Sequence, residues 1–382
     1  MGNCPTLLDA AGHALRYTAH SMKSIHIHAG PRALARIRSH GLQASDIGVI
    51  PAAAGGPKGL IFQHLDQWLF GQWLPTAPRE RLLIGASIGA WRMAAACHAD
   101  PVAAFGRLSN LYCEEQRYPD KPSAHHVSTV VRDILNKLVG GHESEVLAHP
   151  WNRLVVIAAR GAGSLAATAH ARAEKKGFAV AALANALSRR HLARHMERVL
   201  LQDARAATAW LSQGFDPFTT RNVPLTSDNL QAALLSSGTL PLVMEAVRDV
   251  PHAPPGAYWD GGLVDYHLAL PYHRLQDELV LYPHFGPRIV PGWLDKHLPW
   301  RHAARLPCRP WLDNLVLISP TEEFLRRLPR KRLPDRRDFP HYGLQHERRI
   351  ADWRTAIAEG ERLRDELAAF VERPDAALVK PL

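Results

Sequence analysis

Short runs of consecutive apolar residues recur along the chain and are separated by longer stretches with helical spacing. Such runs are typical of strands that are covered on both faces, because a strand with one wet face alternates apolar and polar residues. The sequence therefore predicts an α/β fold with a largely parallel, helix-covered sheet. Six runs are the candidate strands: residues 47–50, 82–84, 154–158, 198–201, 279–282 and 315–318.

The same pattern suggests how the chain is divided. Residues 45–320 hold all six candidate strands and are predicted to form one domain, with residues 100–150 as a helical insertion or lid over the sheet. Residues 1–44 are predicted to be an N-terminal arm. Residues 321–382 are predicted to be a basic loop and a C-terminal helix over 344–371, whose apolar positions recur at helical spacing and pack on the same domain.

One candidate strand leads into a turn that carries a serine. Ser87 lies in Gly85-Ala86-Ser87-Ile88-Gly89, directly after an apolar run and directly before a helix-prone stretch. Gly85 and Gly89 fit such a turn, because side chains there would clash where the serine backbone is pressed against neighbouring chain. A strand, a tight serine turn and a helix are typical of a nucleophile elbow, which exposes the hydroxyl near a helix N-terminus.

A second glycine cluster follows the first candidate strand, in the order Gly55, Gly56, Pro57, Lys58, Gly59. Consecutive glycines let backbone N–H groups turn toward one point, as the binding of an anion requires. The cluster is not a Walker loop, because Gly59 follows Lys58 where serine or threonine would be needed. Beside a serine elbow, we expect an oxyanion hole here; a plain strand-to-helix turn is the alternative.

Asp260 is the candidate base for the serine, in the segment Tyr258-Trp259-Asp260-Gly261-Gly262. A serine hydroxyl needs a base, and an aspartate at a strand end can reach it while Gly261 and Gly262 allow a close backbone approach. An exposed aspartate is a weak base at its usual pKa of about 3.9, so the site must either remove it from water or supply a substrate-bound geometry that favours proton transfer. The Asp-Gly pair also fits a hairpin turn, which is the alternative interpretation.

In this order, the three motifs resemble those of patatin-like phospholipases. Residues 55–59 are similar to the glycine-rich oxyanion loop of the family, residues 85–89 to its elbow, and residues 260–262 to the segment with its dyad aspartate. Residues 232–241 also look like the helix-to-proline segment upstream of that aspartate. The resemblance covers about residues 47–263.

The resemblance implies a three-layer α/β/α patatin-like fold with a mostly parallel central sheet. It also implies a lipid acyl hydrolase that acts on lipid or fatty-acyl esters through a Ser-Asp dyad, without a cofactor. Ser87 would attack the ester carbonyl, Asp260 would take its proton and later activate water, and N–H groups around Gly55 and Gly56 would hold the oxyanion. An acyl-enzyme intermediate follows from that scheme.

Two positions depart from the family's pattern, and both lie in the oxyanion loop. Ala54 stands where another glycine is usual, and Lys58 stands where arginine is common. Lysine keeps the positive charge but lacks the planar fork of a guanidinium. The departures therefore concern oxyanion geometry and the choice of substrate.

Three other functions compete with a Ser-Asp hydrolase. An α/β-hydrolase would share the elbow but use a histidine late in the chain, and His284 has the right order. A nucleotide-binding oxidoreductase would use residues 161–166 as a glycine-rich fingerprint, although no acidic residue lies between Glu174 and Glu197. A lipid-binding scaffold without catalysis would keep the fold and leave Ser87 unreactive.

The chain is strongly basic, with a formal net charge of +10 at pH 7 when histidine is neutral. Such a balance favours anionic partners. Much of the excess lies in residues 326–337, for which we expect a solvated loop, with contact to an anionic membrane surface as the alternative. Only Phe324 and Phe339 flank this stretch as stacking aromatics, so no specific nucleic-acid site is expected.

No apolar run has the length of a bilayer-spanning segment or a signal-peptide core, so we expect a cytoplasmic protein, at most peripheral at a membrane. His191 and His195 are one helical turn apart but lack the glutamate of the zinc-protease motif, and no metal site is predicted. Reduced thiols are expected, because the cysteines have no metal-like pairing: Cys4, Cys97, Cys113 and Cys308.

Overall fold

The computed structural model describes residues 22–166, 171–301 and 309–382 and has an α/β architecture. Its strands in these ranges join a single sheet. In chain order they are β1 (Ile25–Ala29), β2 (Ile47–Ala52), β3 (Arg81–Ala86), β4 (Asn152–Gly161), β5 (Met196–Gln202), β6 (Thr220–Pro224), β7 (Val247–Arg248), β8 (Ala257–Asp260), β9 (Leu279–Pro283), β10 (Leu315–Pro320) and β11 (Val379–Pro381).

Helices of very different length connect these strands. In chain order they are α1 (Pro31–His40), α2 (Gln63–Trp68), α3 (Ile88–Ala95), α4 (Pro101–Glu114), α5 (Ala124–Val139), α6 (Glu143–Ala148), α7 (Ala171–Leu187), α8 (Arg189–Leu192), α9 (Ala209–Ser212), α10 (Leu230–Gly238), α11 (Gly262–Asp265), α12 (Glu322–Arg327), α13 (Asp338–Tyr342), α14 (His346–Glu359) and α15 (Glu361–Glu372).

The main path of the sheet has the strand order β11-β1-β10-β9-β2-β3-β4-β5-β6. Its centre is parallel, since β2 pairs in parallel with β3 and β9, and β3 pairs in parallel with β4. Antiparallel pairs join β1 to β10 and β4 to β5. All six predicted strands lie in this sheet, and the prediction of a mostly parallel central sheet is confirmed.

Alternate residues of the central strands enter two separate apolar cores. Leu83 of β3 belongs to one core, whereas Leu82 and Ile84 belong to the other, because successive side chains of a strand point to opposite faces. Residues of α3, α4, α5, α10, α14 and α15 complete the first core, and residues of α7, α8, α9 and α11 complete the second. Helices on both faces explain the runs of consecutive apolar residues.

The predicted N-terminal arm over residues 1–44 needs correction. The described part, from residue 22 onward, adds β1 to the sheet, where β1 pairs with β10 and β11, and α1 to the first core. Ile25, Ile27 and Ala29 are buried, whereas His26 and His28, which alternate with them, are half-buried. A search for consecutive apolar residues misses a strand with this alternation.

The C-terminal region over residues 321–382 is also more structured than a basic loop and one helix. The helix predicted over 344–371 is two helices, α14 and α15, which meet at Gly360. A Cβ at Gly360 would clash with the carbonyl oxygen of Ile61, so the glycine lets this break approach the 3-10 helix Gly56–Phe62.

Residues 100–150 form α4, α5 and α6, as the mixture of helix-like pieces predicts. Phe105, Leu108 and Val131 from this region are buried in the first core together with residues of α3 and α10. The region is therefore part of a packed helical layer. Its action as a lid stays a prediction.

Within the described ranges, no helix combines the length and the apolar character needed to cross a bilayer. Cys97 and Cys113 are free and buried, as expected for reduced thiols, and burial raises the pKa of Cys113 to about 12. Cys4 and Cys308 lie outside the described residues.

Candidate active site

The ends of β3 and β8 meet beside β4. β3 runs parallel to β4 as far as the pair Ala86–Ile157, and β8 pairs with β4 from Asp260 opposite Ala158. Because β5 occupies the other edge of β4 over the same residues, β3 and β8 share one edge and approach each other end to end. Ser87 directly follows Ala86, so the topology brings it to Asp260.

Ser87 lies in the turn between β3 and α3 and has an unusual backbone conformation. Its φ is 57° and its ψ is −132°, a region that costs free energy for residues with a side chain. The residue is only 7% exposed. Its carbonyl oxygen accepts a hydrogen bond from the amide of Ala90 at 2.9 Å, which starts α3. The backbone geometry is the one predicted for a nucleophile elbow, but Ser87 is buried, whereas the sequence predicts an exposed hydroxyl.

Asp260 is buried at the end of β8, and its carboxylate faces the Ser87 side chain. Burial raises the pKa of Asp260 to about 6, and the neighbouring Ser87 side chain and the Gly262 amide act in the opposite direction. The Gly262 amide donates to Oδ1 at 2.7 Å. The chain continues from β8 into α11, so the Asp-Gly pair is not a hairpin turn. A carboxylate with a raised pKa next to a serine hydroxyl is a stronger base than an exposed aspartate.

Several predicted glycines lie where a side chain would not fit. A Cβ at Gly85 would clash with the Ala90 backbone, and one at Gly261 would clash with the carbonyl oxygen of Ile157. A Cβ at Gly89 would likewise clash with the carbonyl oxygen at the end of β2. These glycines let α3, β2 and the segment after β8 approach closely around Ser87.

The predicted oxyanion loop begins where β2 ends and lies next to the dyad. Gly56 has a φ of +56° and opens the 3-10 helix Gly56–Phe62, with Gly55 directly before it. The amide of Ala54 donates to the Tyr266 carbonyl at 3.1 Å, and a Cβ at Gly262 would lie 2.7 Å from the Ala54 Cβ. Within the described residues, the Gly55 amide donates to no protein acceptor. It is therefore available to a bound oxyanion.

A buried ion pair holds the loop against the elbow helix. Arg92 of α3 donates to both carboxylate oxygens of Asp66 in α2, at 2.8 and 2.7 Å. Its guanidinium also stacks on Phe62, with 4.7 Å between the guanidinium carbon and the ring centroid. A Cβ at Gly59 would lie 3.3 Å from Cδ of Arg92. The loop and Ser87 are thus supported by the same side chain.

Pro57 and Lys58 contribute to this loop differently from the glycines. Pro57 has no N–H to donate. The Lys58 ammonium lies 3.7 Å from the Asp335 carboxylate and 5.0 Å from the centroid of the Phe285 ring. Burial lowers the pKa of Lys58, while Asp335 acts in the opposite direction. The Lys58 side chain therefore binds the C-terminal region, and the oxyanion role predicted for the loop depends on N–H groups.

The end of α10 connects both halves of the dyad, which sequence reasoning did not identify. The Ser87 amide donates to Oγ of Ser237 at 2.9 Å, and this hydroxyl donates to the Ile157 carbonyl at 2.6 Å. The Gly261 amide donates to the Ser237 carbonyl at 3.2 Å, and the Asp260 amide donates to the Thr239 carbonyl at 2.8 Å. The similarity of residues 232–241 to a family segment was the only sequence signal for this contact.

Ser237→Ala is expected to lower kcat for ester hydrolysis by roughly 10- to 100-fold with little change in KM, because the elbow loses the hydroxyl that fixes its amide. Ser236→Ala is the matched control. Ser236 is equally buried, but its hydroxyl donates to Ala232 within α10 at 2.6 Å. Steady-state kinetics of both variants check the prediction. Equal losses in the two variants would contradict a specific role for Ser237.

Arg336 is a second residue near the dyad that the motifs did not reveal. A Cβ at Gly56 would lie 3.4 Å from Cγ of Arg336, and the positive charge of Arg336 lowers the pKa of Asp260. The guanidinium also lies 5.1 Å from the centroid of the Trp293 ring. The basic stretch over 326–337 is thus not only a solvated loop, because one of its arginines faces the candidate site.

An apolar surface lies on and beside α7. Leu183 and Leu187 project from α7 with 70% and 76% of their area exposed. At one end of α7, the amide of exposed Leu242 donates to Glu174 at 3.0 Å, and at the other end Arg301 donates to the Ala186 carbonyl at 3.2 Å. Val180 of α7 is also exposed, as are Val243, which follows Leu242, and Trp300, which precedes Arg301.

His284, the histidine required by an α/β-hydrolase, has no hydrogen bond to the dyad. Its Nδ1 pairs with the Gly286 carbonyl, and its buried Nε2 has no hydrogen-bond partner in the part of the chain that the structure describes. Its ring packs against His267 and Phe285, with 4.3 and 4.4 Å between centroids. Burial lowers the pKa of His284 to about 4.

The glycine fingerprint over residues 161–166 is filled by protein. A Cβ at Gly163 would lie 2.5 Å from the carbonyl oxygen of Arg194, and Oγ of Ser164 bonds to His195 at 2.9 Å. Residues 167–170, which would follow the fingerprint, lie outside the described residues. The contacts leave no cradle at Gly163 for a phosphate.

One group of three metal-ligating side chains is present in the described ranges, beyond the far end of α3 from Ser87. His98, His142 and Glu145 have ligand atoms within 4.8 Å of one another. The Glu145 carboxylate already accepts a hydrogen bond from the Ala99 amide at 2.6 Å and pairs with His142 at 2.9 Å. These contacts account for the group without a metal ion.

The chain matches no protein-family model, and no curated protein is significantly similar to it. The resemblance to patatin-like phospholipases rests on the three motifs and on their order along the chain.

Proposed function

We propose that this chain is a lipid acyl hydrolase of the patatin-like kind, with a three-layer α/β/α fold, that cleaves carboxylic esters through a Ser-Asp dyad. The observation that carries the proposal is the pairing of Ser87, strained at positive φ, with the buried carboxylate of Asp260. Strain and a raised carboxyl pKa both cost stability, and such costs cluster at functional sites.

The first half of the reaction forms an acyl-enzyme. Asp260 removes the proton from the Ser87 hydroxyl while Oγ attacks the ester carbonyl carbon. The resulting oxyanion accepts hydrogen bonds from backbone N–H groups of Gly55, Gly56 and the start of α3. Collapse of this intermediate expels the alcohol, which takes the proton from Asp260, and leaves the acyl group on Ser87.

The second half releases the acid. Water loses a proton to Asp260 and attacks the acyl carbonyl, and the same N–H groups hold the second oxyanion. Ser87 then leaves with the proton returned from Asp260. One carboxylate therefore serves as base and as acid in both halves, so no histidine is required.

The apolar surface on and beside α7 supports a lipid substrate. Exposed leucines and a tryptophan are typical of proteins that act at a lipid–water interface. The Trp293–His297 helix connects this surface to the site, since Asp295 accepts a hydrogen bond from Asn185 of α7 at 2.9 Å while Trp293 stacks against Arg336. Peripheral binding to a membrane surface is part of the proposal.

The pH dependence of kcat/KM is expected to report the ionisation of Asp260. Only the ionised carboxylate can accept the serine proton, so kcat/KM rises with pH and levels off above an apparent pKa near 6. Below pH 6 the rate falls about tenfold per pH unit. Initial rates between pH 4 and 8 with a fatty-acyl ester check this. A midpoint near 4 would contradict the raised pKa of Asp260, because it would match either an unshifted aspartate or the lowered pKa of His284.

Hydrolysis assays on a panel of esters test the proposed function. The panel contains a phospholipid, a neutral glyceride and short p-nitrophenyl esters, and Ser87→Ala protein is the blank. Release of free acid from at least one lipid ester, absent in the blank, supports a lipid acyl hydrolase. Turnover of short esters alone would favour a general esterase, and no turnover would favour a non-catalytic scaffold.

A further inference from the structure

The Arg336 side chain lies beside Gly56 of the predicted oxyanion loop. In the ranges that the structure describes, its side chain donates no hydrogen bond and forms no ion pair, and its guanidinium carbon lies 5.1 Å from the centroid of the Trp293 ring. Three other arginines of the same basic stretch are paired: Arg330 and Arg332 bind Asp338, and Arg337 binds Asp335. The fork of Arg336 is therefore left for a ligand.

The surroundings of Arg336 are positive. Lys58 and Lys296 each interact with Arg336 and Arg337, and Asp335 is the acidic group that these two lysines share. The oxygens of Asp335 are already engaged by Arg337 at 3.0 Å and by Lys58 at 3.7 Å. Four cations against the engaged carboxylate of Asp335 and the buried carboxylate of Asp260 leave a net positive potential around Arg336.

Arg336 is also close enough to the reacting groups to contact a substrate there. Its Cγ and Cδ lie 3.4 and 3.7 Å from the position of a Cβ on Gly56, and its charge acts on Asp260 and on Tyr266. Gly56 belongs to the predicted oxyanion loop. A group bound by Arg336 would therefore lie within a few bonds of an ester carbonyl in that loop.

We propose that the substrate carries an anionic oxygen group, a phosphate or a carboxylate, within a few bonds of the scissile ester, and that Arg336 binds it. The inference rests on the proposed hydrolase function. A guanidinium binds either group through two parallel N–H···O bonds, and a partly buried position strengthens the pairing. Arg336 is thus a specificity-determining residue supplied by the C-terminal region, outside residues 47–263.

Matched pairs of esters test this role. Mono-p-nitrophenyl glutarate and p-nitrophenyl valerate share a five-carbon acyl chain and differ in a terminal carboxylate; dioctanoyl phosphatidic acid and dioctanoylglycerol differ in the phosphate. Arg336→Gln is expected to lower kcat/KM for the preferred anionic ester by roughly 10- to 100-fold and to leave its neutral partner within about threefold. The pair that responds identifies the carboxylate or the phosphate.

Two further variants control for charge and for folding. Arg336→Lys keeps the charge without the fork, so its loss is smaller than that of Arg336→Gln. Arg326→Gln removes an exposed arginine of the same basic stretch. In each pair, it is expected to leave the ratio of kcat/KM for the anionic ester to kcat/KM for the neutral ester unchanged. Equal losses on anionic and neutral esters in Arg336→Gln, or no loss on either, would overturn the proposal.

A binding measurement separates this proposal from the hydrolase itself. Calorimetric titration of Ser87→Ala protein with hexyl phosphate and with glutarate needs no turnover. If the wild-type protein hydrolyses no ester, the proposed function fails. The anion site would still be supported if Ser87→Ala protein binds one of these anions and the binding is lost when Arg336→Gln is added. Binding that persists in that double variant, or no binding at millimolar anion, would contradict it.

Discussion

Ser87→Ala is expected to lower kcat/KM for ester hydrolysis by roughly 10⁴-fold or more, because no other hydroxyl is held against the Asp260 carboxylate in the described structure. The measurement is hydrolysis of the best ester in the panel, with far-UV circular dichroism and thermal unfolding as checks of the fold. The fold is expected to survive, because alanine fills the same small space.

Ser87→Gly separates the chemistry from the backbone strain. Glycine adopts a φ of 57° at little cost, whereas alanine keeps the strain of the serine. We therefore expect both variants to be inactive and Ser87→Gly to be more stable than Ser87→Ala by about 1 kcal/mol. A glycine variant less stable than the alanine variant would show that the turn is not strained by its side chain.

Asp260→Asn is expected to lower kcat by roughly 10²- to 10⁴-fold, the usual contribution of a general base. Asparagine is nearly isosteric and can still accept the hydrogen bond from Gly262, but it cannot take a proton. His284→Ala is expected to retain most of the activity per folded molecule, since His284 has no hydrogen bond to Ser87. The opposite pattern, with activity lost in His284→Ala and kept in Asp260→Asn, would favour a Ser-His hydrolase.

Asp260→Asn is also expected to stabilise the fold at neutral pH. Burial raises the pKa of Asp260 from 3.8 to about 6, so the folded state holds its proton more tightly than the unfolded state does. The free energy of unfolding therefore falls as pH rises from about 4 to 6. Above that range, the ionised carboxylate lowers it by roughly 3 kcal/mol. Denaturant unfolding of Asp260→Asn should show a gain over the wild type at pH 8 that shrinks toward pH 4. A constant difference would contradict this.

The sequence predicts the centre of this fold well because its strands are covered on both faces. The apolar runs 82–84 and 154–158 do not fit strands with one solvent-exposed face. The glycines at 85 and 89 are needed because the turn from β3 into α3 is so tight. β1 is harder to recognise because its two histidines interrupt the apolar pattern. The break between α14 and α15 depends on Gly360 approaching the Ile61 backbone, a long-range contact that no local pattern contains.

Two residues at the candidate site could not be identified from the sequence for related reasons. Ser236 and Ser237 are adjacent, and only the way α10 ends decides which hydroxyl reaches Ser87. Arg336 is one of several arginines in a basic stretch, and only the packing of the C-terminal region against the oxyanion loop distinguishes it. Charge composition indicates that anions are favoured, but it does not indicate where they bind.

Covalent labelling tests the Ser-Asp dyad most directly. Wild-type protein is treated with a fluorophosphonate, and the adduct is located by mass spectrometry of the intact chain and of its peptides. We predict one adduct, on Ser87, formed at a similar rate in His284→Ala and at least about 100-fold more slowly in Asp260→Ala. No adduct in the wild type, an adduct on another residue, or labelling that depends on His284 but not on Asp260 would contradict the dyad.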